Sequence, residues 1–325
     1  MRAVVVSEPG GPDVLRVGEV PDPEPGPGEV LVEVVAAGVN RADLMQRQGH
    51  YPPPPGASET IGLEVSGHVT RLGPGVDSLE VGQPCVALLA GGGYAEQVVV
   101  PAGQVLPPPP GYDLVDAAGV LEVAATVWST TTAYAHLAAG ETFLVHGGAG
   151  GIGSFAVQYA RALGATVVAT AGSADKLQHC RDLGADHAFS YRDDWAAQTK
   201  EAVGGVDVVL DNMGAKYLET HVDLLAPDGR LVVIGFQGGR RATVDLGALL
   251  PKRASLAAIS LRGRPLDQKA DICRHVADEV WPLLAEGTIK PTPLTTYALD
   301  DVVEAHRRLE SGDNLGKIVL VVGGS

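Results

Sequence analysis

The stretch TFLVHGGAGGIGSFAVQYARALG, residues 142–164, constrains the fold more than any other part of the chain. Gly148, Gly150 and Gly153 stand in G-x-G-x-x-G spacing, after an apolar strand-like run and before a helix-like one. In that context the glycine pattern opens a βαβ unit that binds a dinucleotide. The glycines allow a tight turn. Gly150, Gly151, Ile152 and Gly153 then offer backbone N–H groups to a pyrophosphate at the positive end of a helix. The bland alternative is a glycine turn with no ligand.

The flanking sequence fits that start. TVVATA is followed by ADKLQHCRDLG, HAFS by DDWAAQTKEAV, and VDVVLD by AKYLETHVDLLA, before RLVVIG. Near-continuous apolar strands with helical crossovers predict a doubly wound parallel sheet covered on both faces. Upstream, residues 1 to about 118 are short β-branched runs separated by Gly- and Pro-rich turns, the pattern of a partly open barrel or sandwich. A chain of 325 residues suits two such domains. The expected division is a β-rich domain over 1–118, completed by a returning tail at 287–325, and a dinucleotide-binding domain over 119–286 that includes a long helix near 266–286.

A second-strand carboxylate about 20 residues beyond the glycines marks an NAD site. Here Ala171, Gly172 and Ser173 occupy that place. Ser173 can donate to a 2′-phosphate, Lys176 is a point charge nearby, and Tyr191 and Arg192 follow the next strand. This predicts NADPH. Asp175 beside Lys176 and Asp193 beside Arg192 also suit ordinary surface charges. Two further loops follow strands, DNMG with Asn212 and GFQGGR with Gly235 and Phe236, and are expected along the cofactor or as plain turns.

The bulk numbers exclude several classes. A net charge of −15 argues against a nucleic-acid partner, which needs a basic face. Cys85, Cys180 and Cys273 lie far apart without a CxxC, which suits a reducing cytoplasm. Met1-Arg2-Ala3 leads straight into VVV, so no signal peptide is expected. No apolar run approaches the roughly 18 residues of a membrane span.

GVNRADLMQRQGHY, residues 38–51, crowds chemistry into one loop without a cysteine. Tyr51 has a phenol that stays neutral near pH 7, at a reference pKa of about 10, and donates a hydrogen bond. Asn40 offers a donor and an acceptor. Asp43 is expected to orient the loop, through Arg41, and His50 to face solvent. The alternative is that Tyr51 packs on Pro52–Pro55 and Asn40 holds a turn.

The order of these parts, with VNRADLMQRQG, PPPGAS, GLEVSGHV, LGADHAF, DGRLVVIG and NLGKIVL, resembles the zinc-free, zeta-crystallin-like quinone oxidoreductases of the medium-chain dehydrogenase/reductase superfamily over nearly the whole chain. The resemblance implies a GroES-like β-rich catalytic domain beside a Rossmann domain. It places Asn40 where zinc alcohol dehydrogenases carry a cysteine ligand, and Leu63, in Gly62-Leu63-Glu64, where they carry a histidine. Neither residue is a zinc ligand of the usual kind. It places Tyr51 and Asn40 beside nicotinamide and substrate, and brings Thr126, Asn314, Gly316 and Lys317 to the cofactor. The context LEVAATVWS departs from the family's usual reading around Thr126. The resemblance also implies a homodimer through an edge strand at 255–261.

A quinone is already electrophilic, so it needs no Lewis acid; the cofactor carries the chemistry and the protein positions the rings. The expected activity is hydride transfer from NADPH to a quinone, or single-electron reduction with the same partners. The rivals are an NADPH-dependent alkenal or enoyl reductase, a dinucleotide-binding protein with incidental turnover, and a zinc alcohol dehydrogenase.

Overall fold

The computed structural model describes residues 1–323. The chain divides into two compact units. The first holds Met1–Ala125, Leu261–Glu286 and Pro291–Ser325, and the second holds Thr126–Ser260 and Gly287–Lys290.

The first unit is built on a sheet centred on the strands Glu29–Val39 and Glu64–Leu72, paired antiparallel. Both runs alternate or bury apolar residues, and Val30, Val32, Val34, Val65 and Val69 pack into one core with Ile318 and Leu320 from the tail. The tail strand Lys317–Val321 pairs antiparallel with Glu29–Val39, and Leu294–Ala298 adds beside it in parallel. The two tail strands therefore return to the sheet built on Glu29–Val39.

The helical stretch 266–286 groups by its contacts with the first unit. It is also not one regular helix. Leu266–His275 and Trp281–Ala285 are α-helical, and Val276–Val280 between them takes a π turn. A Cβ on Gly103 would sit 2.7 Å from Ala270 Cβ, so glycine there admits the helix at close range. Trp281 Nε1 donates to Pro107 O at 2.9 Å. An amphipathic pattern fixes a helix but not the surface that covers it.

The second unit is a six-stranded parallel sheet in the order 187–190, 166–171, 142–146, 206–211, 225–233, 255–258. Its interior strands are buried along their length, which is why they read as continuous apolar runs. Chain order reverses between Thr142–His146 and Val206–Asp211. The loops after those two strands therefore leave the sheet side by side, where open α/β sheets bind ligands.

Candidate functional site

In the second unit the turn after His146 is forced by glycines. Gly147 has φ +65°, and a Cβ on Gly153 would lie 2.1 Å from Gly147 O. A Cβ on Gly148 would press on Ala169 and Cys180 at 2.8 Å, so Gly148 sets how closely the loop lies on its neighbours. Gly150 differs: a Cβ there meets only Gly147 O, at 3.5 Å. Gly150 caps the helix Gly151–Ala162 with no side-chain hydrogen bond. Ser154 N bonds Gly150 O at 2.8 Å, so the N–H groups of Gly151, Ile152 and Gly153 precede the first helical bond. Bare donors, a missing cap and open space over Gly150 fit a pyrophosphate.

The corner expected to take the adenosine end is assembled by register. Ser190 pairs with Ala171, and Tyr191 N donates to Ala171 O at 3.1 Å, so Tyr191 and Arg192 stand beside Gly172 and Ser173. A Cβ on Gly172 would lie 2.1 Å from the Tyr191 hydroxyl, so this glycine makes room for the phenol. Ser173 caps the helix Ala174–Asp182, its Oγ accepting from Lys176 N at 3.4 Å. That hydroxyl keeps its proton to donate. The strand end carries no carboxylate.

Asn212 Nδ2 donates to His146 O at 3.2 Å, tying the 211–214 loop to the glycine turn. Its Oδ1 is buried without a partner, an acceptor left for a ligand donor. Asp211 shapes the loop by accepting from Met213 N at 2.7 Å and Gly214 N at 3.0 Å, and burial pushes its carboxyl up to about 6. Gln237 N bonds Asn212 O, which brings Gly235 and Phe236 alongside. Phe236 is 42% exposed and lines a cavity of about 320 Å³ with Gly214, Leu218, Arg240 and Leu256. Thr126 is buried, and its carbonyl accepts from Thr130 Oγ1 at 2.6 Å.

A buried pair escaped the sequence reading. His146 Nε2 and His221 Nε2 are 2.6 Å apart, with His146 Nδ1 on Thr170 Oγ1 at 2.8 Å. Burial holds His146 well below its ordinary range and His221 down at about 3, so both imidazoles are neutral. No local pattern links positions 146 and 221.

In the first unit, Asn40 caps the helix Arg41–Arg47 with an uncommon division of labour. Asp43 Oδ2 accepts from Asn40 N at 2.7 Å and from the Tyr94 hydroxyl at 2.9 Å. Tyr94 therefore helps to orient Asp43. Burial raises the Asp43 carboxyl to about 6, against those two hydrogen bonds. The Asn40 side chain points elsewhere. Its Nδ2 donates to Glu64 Oε1 at 3.0 Å, and its Oδ1 accepts from Lys317 Nζ at 2.5 Å. Lys317 Nζ also lies 2.7 Å from Glu64 Oε1. Glu122 N satisfies Glu64 Oε2 at 2.9 Å.

Glycines make this cluster possible. A Cβ on Gly38 would lie 2.3 Å from Glu64 Oε1, and one on Gly119 would lie 2.6 Å from Lys317 Cγ. Lys317, expected at the cofactor, is thus engaged with Glu64 and Asn40, while Asn314 Nδ2 closes a turn onto Gly316 O at 3.1 Å. His50 is exposed.

Tyr51 is half-buried beneath Arg262, whose Cζ stands 5.2 Å from the ring centroid. Arg262 donates to Ala90 O at 2.7 Å, Tyr51 O at 3.1 Å and Gln46 Oε1 at 2.6 Å. Arg262 carries no sequence signal, since its partners lie 172 to 216 positions away.

The sequence matches an alcohol dehydrogenase GroES-like domain over residues 26–110 and a zinc-binding dehydrogenase over residues 151–278. A quinone oxidoreductase of Salmonella typhimurium is 34% identical over 320 residues, 96% of this chain and 97% of that protein. A phenolphthiocerol/phthiocerol polyketide synthase of Mycobacterium tuberculosis is 33% identical over 98% of this chain, which spans only 14% of that relative's length. The crystal structure of Escherichia coli quinone oxidoreductase complexed with NADPH matches with a TM-score of 0.87 at 31% identity, covering 99% of this chain and 100% of that one.

Proposed function

This chain belongs to the medium-chain dehydrogenase/reductase superfamily of oxidoreductases, and within it we propose an NADPH-dependent quinone reductase that works without a metal. The observation that carries the reading is the engagement of Asn40 by Lys317 and Glu64. A zinc-binding family description raises a metal site, and the donor set here does not fit one. The Asn40 amide oxygen faces an ammonium that would repel a cation, and Leu63 brings no lone pair. Among the described residues no three His, Cys, Asp or Glu side chains gather as ligands. Chemistry at such a site favours an acceptor that is electrophilic on its own, and a quinone is one.

The corner of Gly172, Ser173, Lys176, Tyr191 and Arg192 supports NADPH over NADH, because it offers a hydroxyl, two cations and no carboxylate at the strand end. When bound, NADPH supplies a hydride from its nicotinamide C4; with one proton from solvent, quinone becomes hydroquinone and NADP+ is left. The chain's part is to place and to stabilise. Gly150–Gly153 would hold the pyrophosphate, and Asn212 Oδ1, buried without a partner, would accept a hydrogen bond from the nicotinamide end. Tyr51 donates a hydrogen bond to the acceptor oxygen as charge builds there.

A second reading, reduction of the carbon–carbon double bond of an alkenal or enoyl group, uses the same cofactor and is favoured by the likeness to a stretch of polyketide synthase. The edge strand Ser255–Ala258, with Leu256 40% exposed, supports a homodimer. Three buried free thiols support a cytoplasmic setting.

A panel of an ortho-quinone, a para-quinone and a 2-alkenal with NADPH tests the reading. Preference for a quinone sustains it. Preference for the alkenal moves the activity to double-bond reduction, and tight NADPH binding without turnover leaves a binder.

A further inference from the structure

Arg262 is 5% exposed, and all of its hydrogen bonds run to neutral oxygens: two backbone carbonyls and the Gln46 amide. Among the described residues it has no ion-pair partner. Asp43 and Glu59 act on it only through space, and burial disfavours its charged form. Three of the five guanidinium N–H groups are used, and none of these three bonds reaches a charged acceptor. A second cation of the same segment, Lys269, is 3% exposed and likewise has no salt bridge among the described residues.

Removing a guanidinium from water without a counter-charge is expensive. In a chain of net charge −15 a carboxylate partner is not scarce. The positive field falls instead on Tyr51, through the ring that lies 5.2 Å from Cζ and through the carbonyl that Arg262 holds. Beyond the through-space pull of Asp43 and Glu59, negative charge that appears beside Tyr51 would be stabilised by this guanidinium.

We propose that Arg262 is a positioning residue of the acceptor site, which holds Tyr51 in place as a hydrogen-bond donor and stabilises, through that phenol, the negative charge that hydride delivery leaves on the acceptor oxygen. This rests on the reading of Tyr51 as the acceptor-site donor. The electron count is that of the overall reaction: hydride brings two electrons and one hydrogen nucleus, the acceptor becomes a hydroquinone monoanion, and one solvent proton neutralises it. Arg262 gains or loses no proton. A clamp of purely structural value, tying together residues 46, 51 and 90, would be expected to affect folding and to be indifferent to the chemistry at the Tyr51 hydroxyl.

The test is steady-state quinone reduction by the full chain carrying Arg262→Met, Arg262→Lys, Tyr51→Phe, and the Arg262→Met/Tyr51→Phe pair. Arg262→Gln takes the place of Arg262→Met if that variant does not fold. Arg262→Met is expected to lower kcat roughly 100-fold, as loss of a charge-stabilising group does. Arg262→Lys, which keeps the charge, recovers part of the loss, and KM for NADPH stays within about twofold because the change lies in the acceptor site. In the Tyr51→Phe background the further loss shrinks to about threefold or less, because the two residues act as one device. Equal losses for the Lys and Met variants, or an undiminished loss in the Tyr51→Phe background, would overturn the proposal. Absence of any quinone turnover by the unmodified chain defeats the functional reading, and this inference with it. Turnover that Arg262→Met leaves intact defeats this inference alone.

Discussion

Lys317 Nζ stands 2.7 Å from Glu64 Oε1, and both side chains are buried within the first unit. The pair sets the Asn40 amide without ambiguity, its oxygen toward the ammonium and its nitrogen toward the carboxylate. Breaking a buried pair from one side leaves the other charge stranded. Lys317→Met is therefore expected to lower the unfolding free energy by about 3–5 kcal/mol. Adding Glu64→Gln should return part of that loss. Urea denaturation of the two variants checks it, and equal stability of the single and double variants would contradict it.

The glycine loop separates fold from binding. Gly153→Ala forces a Cβ to 2.1 Å from Gly147 O, so it should destabilise the second unit. Gly150→Ala meets nothing closer than 3.5 Å, so its Tm should hold. It should still weaken NADPH binding, because the methyl group occupies the space over the bare donors. Thermal melts with and without NADPH separate the two effects.

The cofactor corner makes an independent demand. Ser173→Ala should raise KM for NADPH about tenfold, the value of one hydrogen bond to a charged group, and leave KM for NADH unchanged. Ser173→Asp places a carboxylate where NAD sites carry one and should reverse the preference. Equal effects on both cofactors would remove the 2′-phosphate from this corner.

Much of this was legible in the sequence, and the limit has a physical cause. The glycine loop, the strand-end serine and the loop around Asn40 announce themselves through spacing within about 20 residues. The sheet then brings their loops together by register. Lys317 and Asn40 are 277 positions apart, and Arg262 and Tyr51 are 211 apart. No period links such residues. The faint local clues were Gly38 and Gly119, small residues in apolar surroundings that prove to make room for Glu64 and Lys317. Trp281 likewise finds its acceptor at Pro107, 174 positions away, and Ala270 its close neighbour at Gly103.

Acid stability follows from the buried histidines. His221 and His306 are held down to about 3, in both cases chiefly by burial, whereas an unfolded histidine titrates near its ordinary value of 6.5. Between those values the unfolded chain binds more protons than the folded one, so stability falls as pH drops. It is fully present above about 6.5 and lost progressively toward about 3. Asp43, raised to about 6 by burial, acts in the opposite sense over about 4–6, because there the folded state binds the extra proton. His306→Gln should flatten the decline between pH 6.5 and about 4, and Asp43→Asn should steepen it. Denaturant midpoints across that range are the readout.

Tyr51→Phe removes the hydroxyl donor, and the ring can keep its place under Arg262. It is expected to lower kcat by roughly 10–100-fold with KM for NADPH unchanged, as loss of a transition-state hydrogen bond does. An unchanged kcat would move the acceptor-site donor to another residue.

Metal-free, NADPH-linked quinone reduction stands or falls on initial rates with NADPH and with NADH, measured on protein freed of metals by a chelator. Turnover should survive chelation and show a clear preference for NADPH. Activity that chelation abolishes and zinc restores, or a preference for NADH, would refute it.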